Sequence, residues 1–387
     1  MRALGLHAEY RALVGAETAV PRLNPNTRYF LLGGAVLVLA AAYSWYWFAM
    51  ADRIAQGFDE WAAKRRAEGM IVEYSNFAVT GFPLRMQPEA ANLHLAAPGA
   101  EPAWEWRTPH LIANVLPYNL NHVVLTLQQP QDVTFRVNGG EAQRYQLISA
   151  STRASLILSH GKIARAALET REGVLSGGGL TAGPLALEHG QLHARLDMPV
   201  EETPDPRSPE PPKLMELALE LENLTYEGFL KPVLGAKLTR LDFNGVIEGE
   251  APASPGVAGI REWRDAGGIA QITKFNIGWG PLNLSATGTL TLDGQDRLLG
   301  SMIAKLRGHE ALIQSMQDAG KLDADAASAA RLALGIIAMA AGATAGNSSE
   351  SQDHKGEFSL PLTLQDGEMQ LGPLRLAKLK PLLQAAP

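Results

Sequence analysis

The chain has 387 residues, a formal charge of -6, an isoelectric point near 5.9 and no cysteine. Its length is enough for about two domains and a sizeable core. The missing cysteines exclude disulfides, thiolate nucleophiles and sulfur-ligated metal sites, and the acidic balance without a basic stripe argues against a nucleic-acid partner.

The first element is apolar. From Tyr29 to Met50 no side chain is charged, and about 22 residues at roughly 1.5 Å each cross a hydrocarbon layer of about 30 Å. Tyr29, Phe30, Leu31, Leu32, Val36, Leu37, Val38, Leu39, Tyr43, Trp45 and Trp47 are the expected membrane anchor, in contact with a lipid bilayer, with aromatic rings at both ends where headgroups lie. Residues 1–28 are expected as a short cytoplasmic tail: Arg22 and Arg28 adjoin the span, although Arg53, Lys64, Arg65 and Arg66 nearly balance them beyond it. Ala49-Met50-Ala51 offers a rival signal-peptide cleavage site, set against the bulky aromatics just before it.

Residues 51–69 read as an amphipathic helix, with Ile54, Phe58, Trp61 and Ala62 on one face and Gly69 as its stop. From Ile71 the period changes to two, so the expected fold is mainly β with a few α-helices, built as large curved antiparallel sheets. Two β halves, 70–198 and 213–387, flank a Pro-rich linker at 199–212. Alternation is expected at Val123–Leu127, Val133–Val137, Ile148–Leu158, Met215–Leu221, Leu241–Ile247 and Phe358–Leu364. It is clearest at Leu282–Leu292, where Asp293-Gly294 turns the chain back into a strand running from Leu298 to Leu306. Asp366-Gly367 is a second hairpin turn. Gly183-Pro184-Leu185, Gly280-Pro281-Leu282 and Gly372-Pro373-Leu374 form a recurring corner suited to strand starts. A helical insertion is expected near 308–341, capped by Asp323, with a Gly/Ser-rich connector at Gly342 to Lys355.

Catalytic motifs are missing. The Gly177-Gly178-Gly179 cluster lacks the spacing and the lysine of a phosphate-binding loop, and no nucleophile elbow or paired-histidine metalloprotease helix occurs. Asp323 and Asp325 suit a helix start better than a metal. His189 and His193 lie in a strand-and-turn context rather than on a helix, and Trp104 and Trp106 alternate as strand packing residues. No cofactor and no metal site is therefore expected, and an enzyme, a hydrolase without a recognisable motif, is the least favoured reading. The remaining candidate is the oily side of the strands, as an apolar groove or a core: Leu282, Leu284, Leu290, Leu292, Met302 and Leu306.

The run Val72-Glu73-Tyr74, then Val79-Thr80-Gly81-Phe82-Pro83-Leu84, Asn92-Leu93-His94-Leu95, Trp104-Glu105-Trp106, Ala113-Asn114 and Pro130 resembles the domain of unknown function 2125 family of alphaproteobacterial envelope proteins. That resemblance brings no catalytic residue. Met369-Gln370-Leu371-Gly372-Pro373-Leu374 is similar to phrases in AsmA-like proteins, which are membrane-anchored, β-rich and linked to lipid movement. The span and the sustained period-two pattern beside it, with these likenesses, lead to the expectation of a single-pass protein of the bacterial inner membrane, its large domain in the periplasm, sheltering or moving lipid or acyl chains. The alternative is a scaffold that docks another envelope protein.

Overall fold

The computed structural model describes residues 25–100, 102–136, 140–180, 182–196, 211–228, 234–329, 331–332, 358–371 and 374–383. The tail up to residue 24, most of the Pro-rich linker, the Gly372-Pro373 corner and the expected connector from Gly342 to Lys355 lie outside them. The chain divides into two compact units, Met1–Asp52 and Arg53–Pro387.

One helix, α1 (Pro25–Ala67), runs for 43 residues across that division. The amphipathic segment continues the apolar one without a break, because no glycine or proline pair interrupts the ladder between Phe48 and Arg53 and both segments share the helical period. The helix is long and apolar enough to cross a membrane. Tyr29, Phe30, Leu31, Leu32, Val36, Leu37, Val38, Leu39, Tyr43 and Trp45 are exposed along it. Trp47 differs, being only 2% exposed.

In the larger unit, the last turns of α1 pack on the first strands through rings. Phe58 stacks on Phe77 with centroids 4.1 Å apart and meets Tyr74 edge-on at 5.0 Å. Tyr74 donates its hydroxyl to Asp59 at 2.8 Å, and Arg66 Nε donates to the Val72 carbonyl at 2.8 Å.

Among the described residues, eighteen antiparallel strands form one sheet. They are β1 (Ile71–Glu73), β2 (Asn76–Thr80), β3 (Gln87–Ala97), β4 (Ala103–Leu116), β5 (Asn119–Leu127), β6 (Gln131–Arg136), β7 (Gln143–Ile148), β8 (Ser151–Ser159) and β9 (Lys162–Gly177). The second series is β10 (Leu185–Arg195), β11 (Lys213–Thr225), β12 (Lys237–Glu248), β13 (Ile269–Trp279), β14 (Leu282–Leu292), β15 (Leu298–Arg307), β16 (Phe358–Gln365), β17 (Glu368–Leu371) and β18 (Leu374–Lys378). Helix α2 (Gly256–Asp265) joins β12 to β13, and α3 (His309–Asp318) follows β15.

From β9 to β18 each strand pairs with the next as a meander. Because β10 pairs directly with β11, the two expected β halves are one continuous sheet across the Pro-rich segment. The N-terminal part is branched: β4 pairs with β6 along its first half and β5 along its second, and β9 gathers β8 and β7 in the same way.

Where those ladders part, backbone groups need other partners, and buried polar side chains supply them. Gln131 donates to Thr108 Oγ1 at 2.8 Å and to the Gln128 carbonyl, while accepting from Trp106 Nε1 at 2.8 Å. Thr152 and Thr170 meet beside them at 3.4 Å, both buried.

Two of the recurring corners start strands: β10 opens on Leu185 after Gly183-Pro184, and β14 on Leu282 after Gly280-Pro281. Proline fits there because it has no ladder donor to lose. At Gly280, with φ of 56°, an added Cβ would lie 2.7 Å from the Leu234 carbonyl oxygen.

Candidate functional site on the apolar sheet face

Residues paired across antiparallel strands lie on the same side of the sheet, so the register shows what each face carries. One row reads Ala154, Leu168, Leu192, Leu219, Phe243, Phe275, Ala286, Ala304 and Leu360, from β8 to β16. The rows on either side have the same character: Leu156, Ala166, Ala194, Leu217, Gly245, Ile272, Gly288, Met302 and Leu362, then Thr152, Thr170, Gly190, Leu221, Leu241, Ile277, Leu284 and Leu306. A continuous oily face thus crosses most of the sheet.

That face is unevenly covered. At the β13 to β16 end, Ile272, Ala286, Met302, Ala304, Leu306, Leu360, Leu362 and Leu364 are buried in one cluster with Ile313 of α3 and Ala327 of the following helical turns. Asp323 starts those turns, its Oδ1 accepting from the Ala326 N–H at 2.7 Å, which is capping rather than metal ligation. At the β9 and β10 end of the same row, Leu168 and Leu192 are 39% and 43% exposed.

Of the sequence candidates, Met302 and Leu306 are buried in the cluster, and Leu282, Leu284 and Leu290 pack against it half-buried. Leu292 is half-buried at the end of β14. Leu168 and Leu192, which the sequence reading did not single out, are left accessible on this face. The covered end differs from the open one in the docking of α3 and of the helical turns after Asp323.

The opposite face is charged. Its rows run Glu169, Gln191, Glu220, Asp242, Asn276, Ser285 and Lys305, and beside it Arg171, His189, Glu222, Arg240, Gly278, Asn283 and Arg307. His189 contacts Glu169 at 3.0 Å and reaches His193 through Gln191, which places both histidines in a strand hydrogen-bond network. Among the described residues no group of histidines and carboxylates could hold a metal ion. Trp104 and Trp106 sit on β4, half-buried, with Trp106 bonded to Gln131.

Asp242 is buried on this face, in a depression of about 610 Å³ lined by Arg240, Lys274, Asn276, Lys305 and Arg307. Burial alone would push its carboxyl up, but hydrogen bonds from Arg240 at 2.8 Å, Asn276 at 3.3 Å and Lys274 at 3.2 Å outweigh that and hold it below its ordinary value. A depressed carboxyl stabilises the fold above its unfolded value and loses that contribution as pH falls through the folded one. Urea midpoints of the full-length chain are expected to drop below about pH 4, and Asp242→Asn to be less stable at pH 7 by about 1–3 kcal/mol with a flatter acid limb.

The sequence matches the family described as an uncharacterized protein conserved in bacteria, DUF2125, over residues 47–380. The match begins near the end of the span and takes in every strand. No curated protein and no solved structure matches the chain. With most of its length inside that match, the chain belongs to the DUF2125 family.

Proposed function

We propose that this is an envelope protein held in the bacterial inner membrane by α1, with its sheet in the periplasm, and that the open part of the apolar face shelters lipid acyl chains. The observation that carries the reading is the exposure gradient along one row, from Leu168 and Leu192 to the buried Ala304 and Leu360. Exposed leucines on a continuous apolar surface favour an apolar occupant, because covering them releases about 25 cal/mol per Å². A lipid tail suits a long strip of aliphatic side chains, and the strip belongs to a chain that carries its own membrane span.

Native mass spectrometry of the full-length chain extracted in mild detergent is expected to show bound phospholipid in defined stoichiometry. A mass of protein alone, with a recurrent protein partner captured by crosslinking in intact cells, would sink the lipid reading and favour a scaffold.

A further inference from the structure

Two turns at one end of the sheet carry exposed apolar tips. The β2–β3 turn is Gly81-Phe82-Pro83-Leu84-Arg85, closed by the Arg85 N–H donating to the Gly81 carbonyl at 3.2 Å. Gly81 has φ of 96°, and a Cβ there would fall 2.8 Å from the Arg85 carbonyl oxygen, so the turn is tight. The β4–β5 turn is Pro117-Tyr118. Met86 and Val115 exchange two backbone hydrogen bonds of 2.9 Å, which fastens the turns side by side. Both fastening residues are buried, yet Leu84 is 80% exposed and Tyr118 83%, with Phe82, Leu116 and Leu120 exposed around them. Tips of this kind on a firmly bonded base fit a surface that is itself apolar.

The course of α1 indicates which surface. Its contacts run antiparallel to the first strands: Arg66 meets Val72, Asp59 meets Tyr74, and Phe58 meets Phe77. At about 1.5 Å per helical residue and about 3.3 Å per strand residue, the five residues from Phe58 back to Arg53 cover roughly two strand residues beyond Phe77, toward the Gly81 turn. Within this unit the helix therefore begins, at Arg53, toward the end of the sheet that carries Leu84 and Tyr118.

We propose that the 81–85 and 117–118 turns form a lipid contact, with Leu84 and Tyr118 seated at headgroup depth in the leaflet from which the chain emerges; this rests on α1 being a membrane anchor. Leucine supplies an apolar end, and tyrosine an amphipathic ring of the type favoured at bilayer interfaces.

The cysteine-free chain permits single-site labelling. Full-length Leu84→Cys, Tyr118→Cys, Ala100→Cys and Val38→Cys, each carrying an environment-sensitive nitrobenzoxadiazole dye, would be reconstituted in phosphatidylcholine and phosphatidylglycerol vesicles with or without acyl-brominated lipid. Ala100 lies in the β3–β4 turn at the opposite end of the sheet. Blue-shifted emission quenched by brominated lipid is expected at 38, 84 and 118, with red-shifted, unquenched emission at 100. Quenching at 38 with labels at 84 and 118 behaving like that at 100 would overturn the contact and leave the anchor standing. No quenching at 38 would overturn both.

Discussion

Replacing both Leu168 and Leu192 by glutamine is expected to strip bound phospholipid from the full-length protein while leaving its fold intact. These residues face each other across β9 and β10 and are 39% and 43% exposed. An acyl chain lying over them would cover the remaining apolar area, worth about 1 kcal/mol for each leucine. Glutamine loses that contribution, and burying each amide beneath a tail costs about 1–3 kcal/mol more. For the pair the loss is about 4 kcal/mol or more, roughly a thousandfold in retention. Because the amides stay hydrated when no lipid is bound, unfolding midpoints should move little. Mass spectrometry and urea denaturation on one preparation separate the two effects: lipid retained at wild-type stoichiometry would exclude this stretch as the lipid-bearing surface.

The choice of these two leucines shows what the sequence makes legible. Leu282–Leu292 appears as a strand with the bounds its alternation implies, and Asp366-Gly367 turns the chain with φ of 54° and 76° as a hairpin of that kind requires. Ile148–Leu158 reads as one strand, and β7 and β8 do run in line along β9 in one register, with only Ser149-Ala150 interrupting the ladder. Strand β9 leaves a weak signal because its apolar side includes Ala164, Ala166, Thr170 and Gly173, which hardly contrast with the polar side. The short helix α2 is hidden by its length and its two arginines, both of which pair with Asp296 in the β14–β15 turn rather than facing water alone. Long-range register lies further out of reach: the branching at β4 and β9 depends on pairings that local periodicity does not encode.

The anchor and the oily strand faces were thus readable, whereas the division of that face into covered and open parts was not. It arises from α3 and the turns after Asp323 returning to the sheet at β13 to β16. The charged face opposite is legible residue by residue, yet its network around Asp242 needs β12, β13 and β15 side by side, which alternation alone does not place.

That division predicts different costs for one substitution at two sites on the same face. Leu364 is 2% exposed, in the cluster with Leu360, Leu362 and Met302, and its partner on β15 is Gly300. Gly300 has no side chain to move into a vacated space, and its backbone is fixed: with φ of 151°, a Cβ there would already lie 2.2 Å from the Thr289 carbonyl oxygen. Leu364→Ala therefore leaves a cavity that the surroundings cannot close, and is expected to cost about 2–5 kcal/mol. Leu168→Ala removes the same atoms from an accessible site, where solvent fills the gap, and is expected to cost about 1 kcal/mol or less. Urea denaturation of both variants in lipid-free detergent gives the comparison directly. Equal losses would mean that Leu168 is as covered as Leu364, and the face would then be core along its whole length. A large loss at Leu364 with a small one at Leu168 locates the boundary between the part of the sheet that stabilises the protein and the part free to receive a ligand.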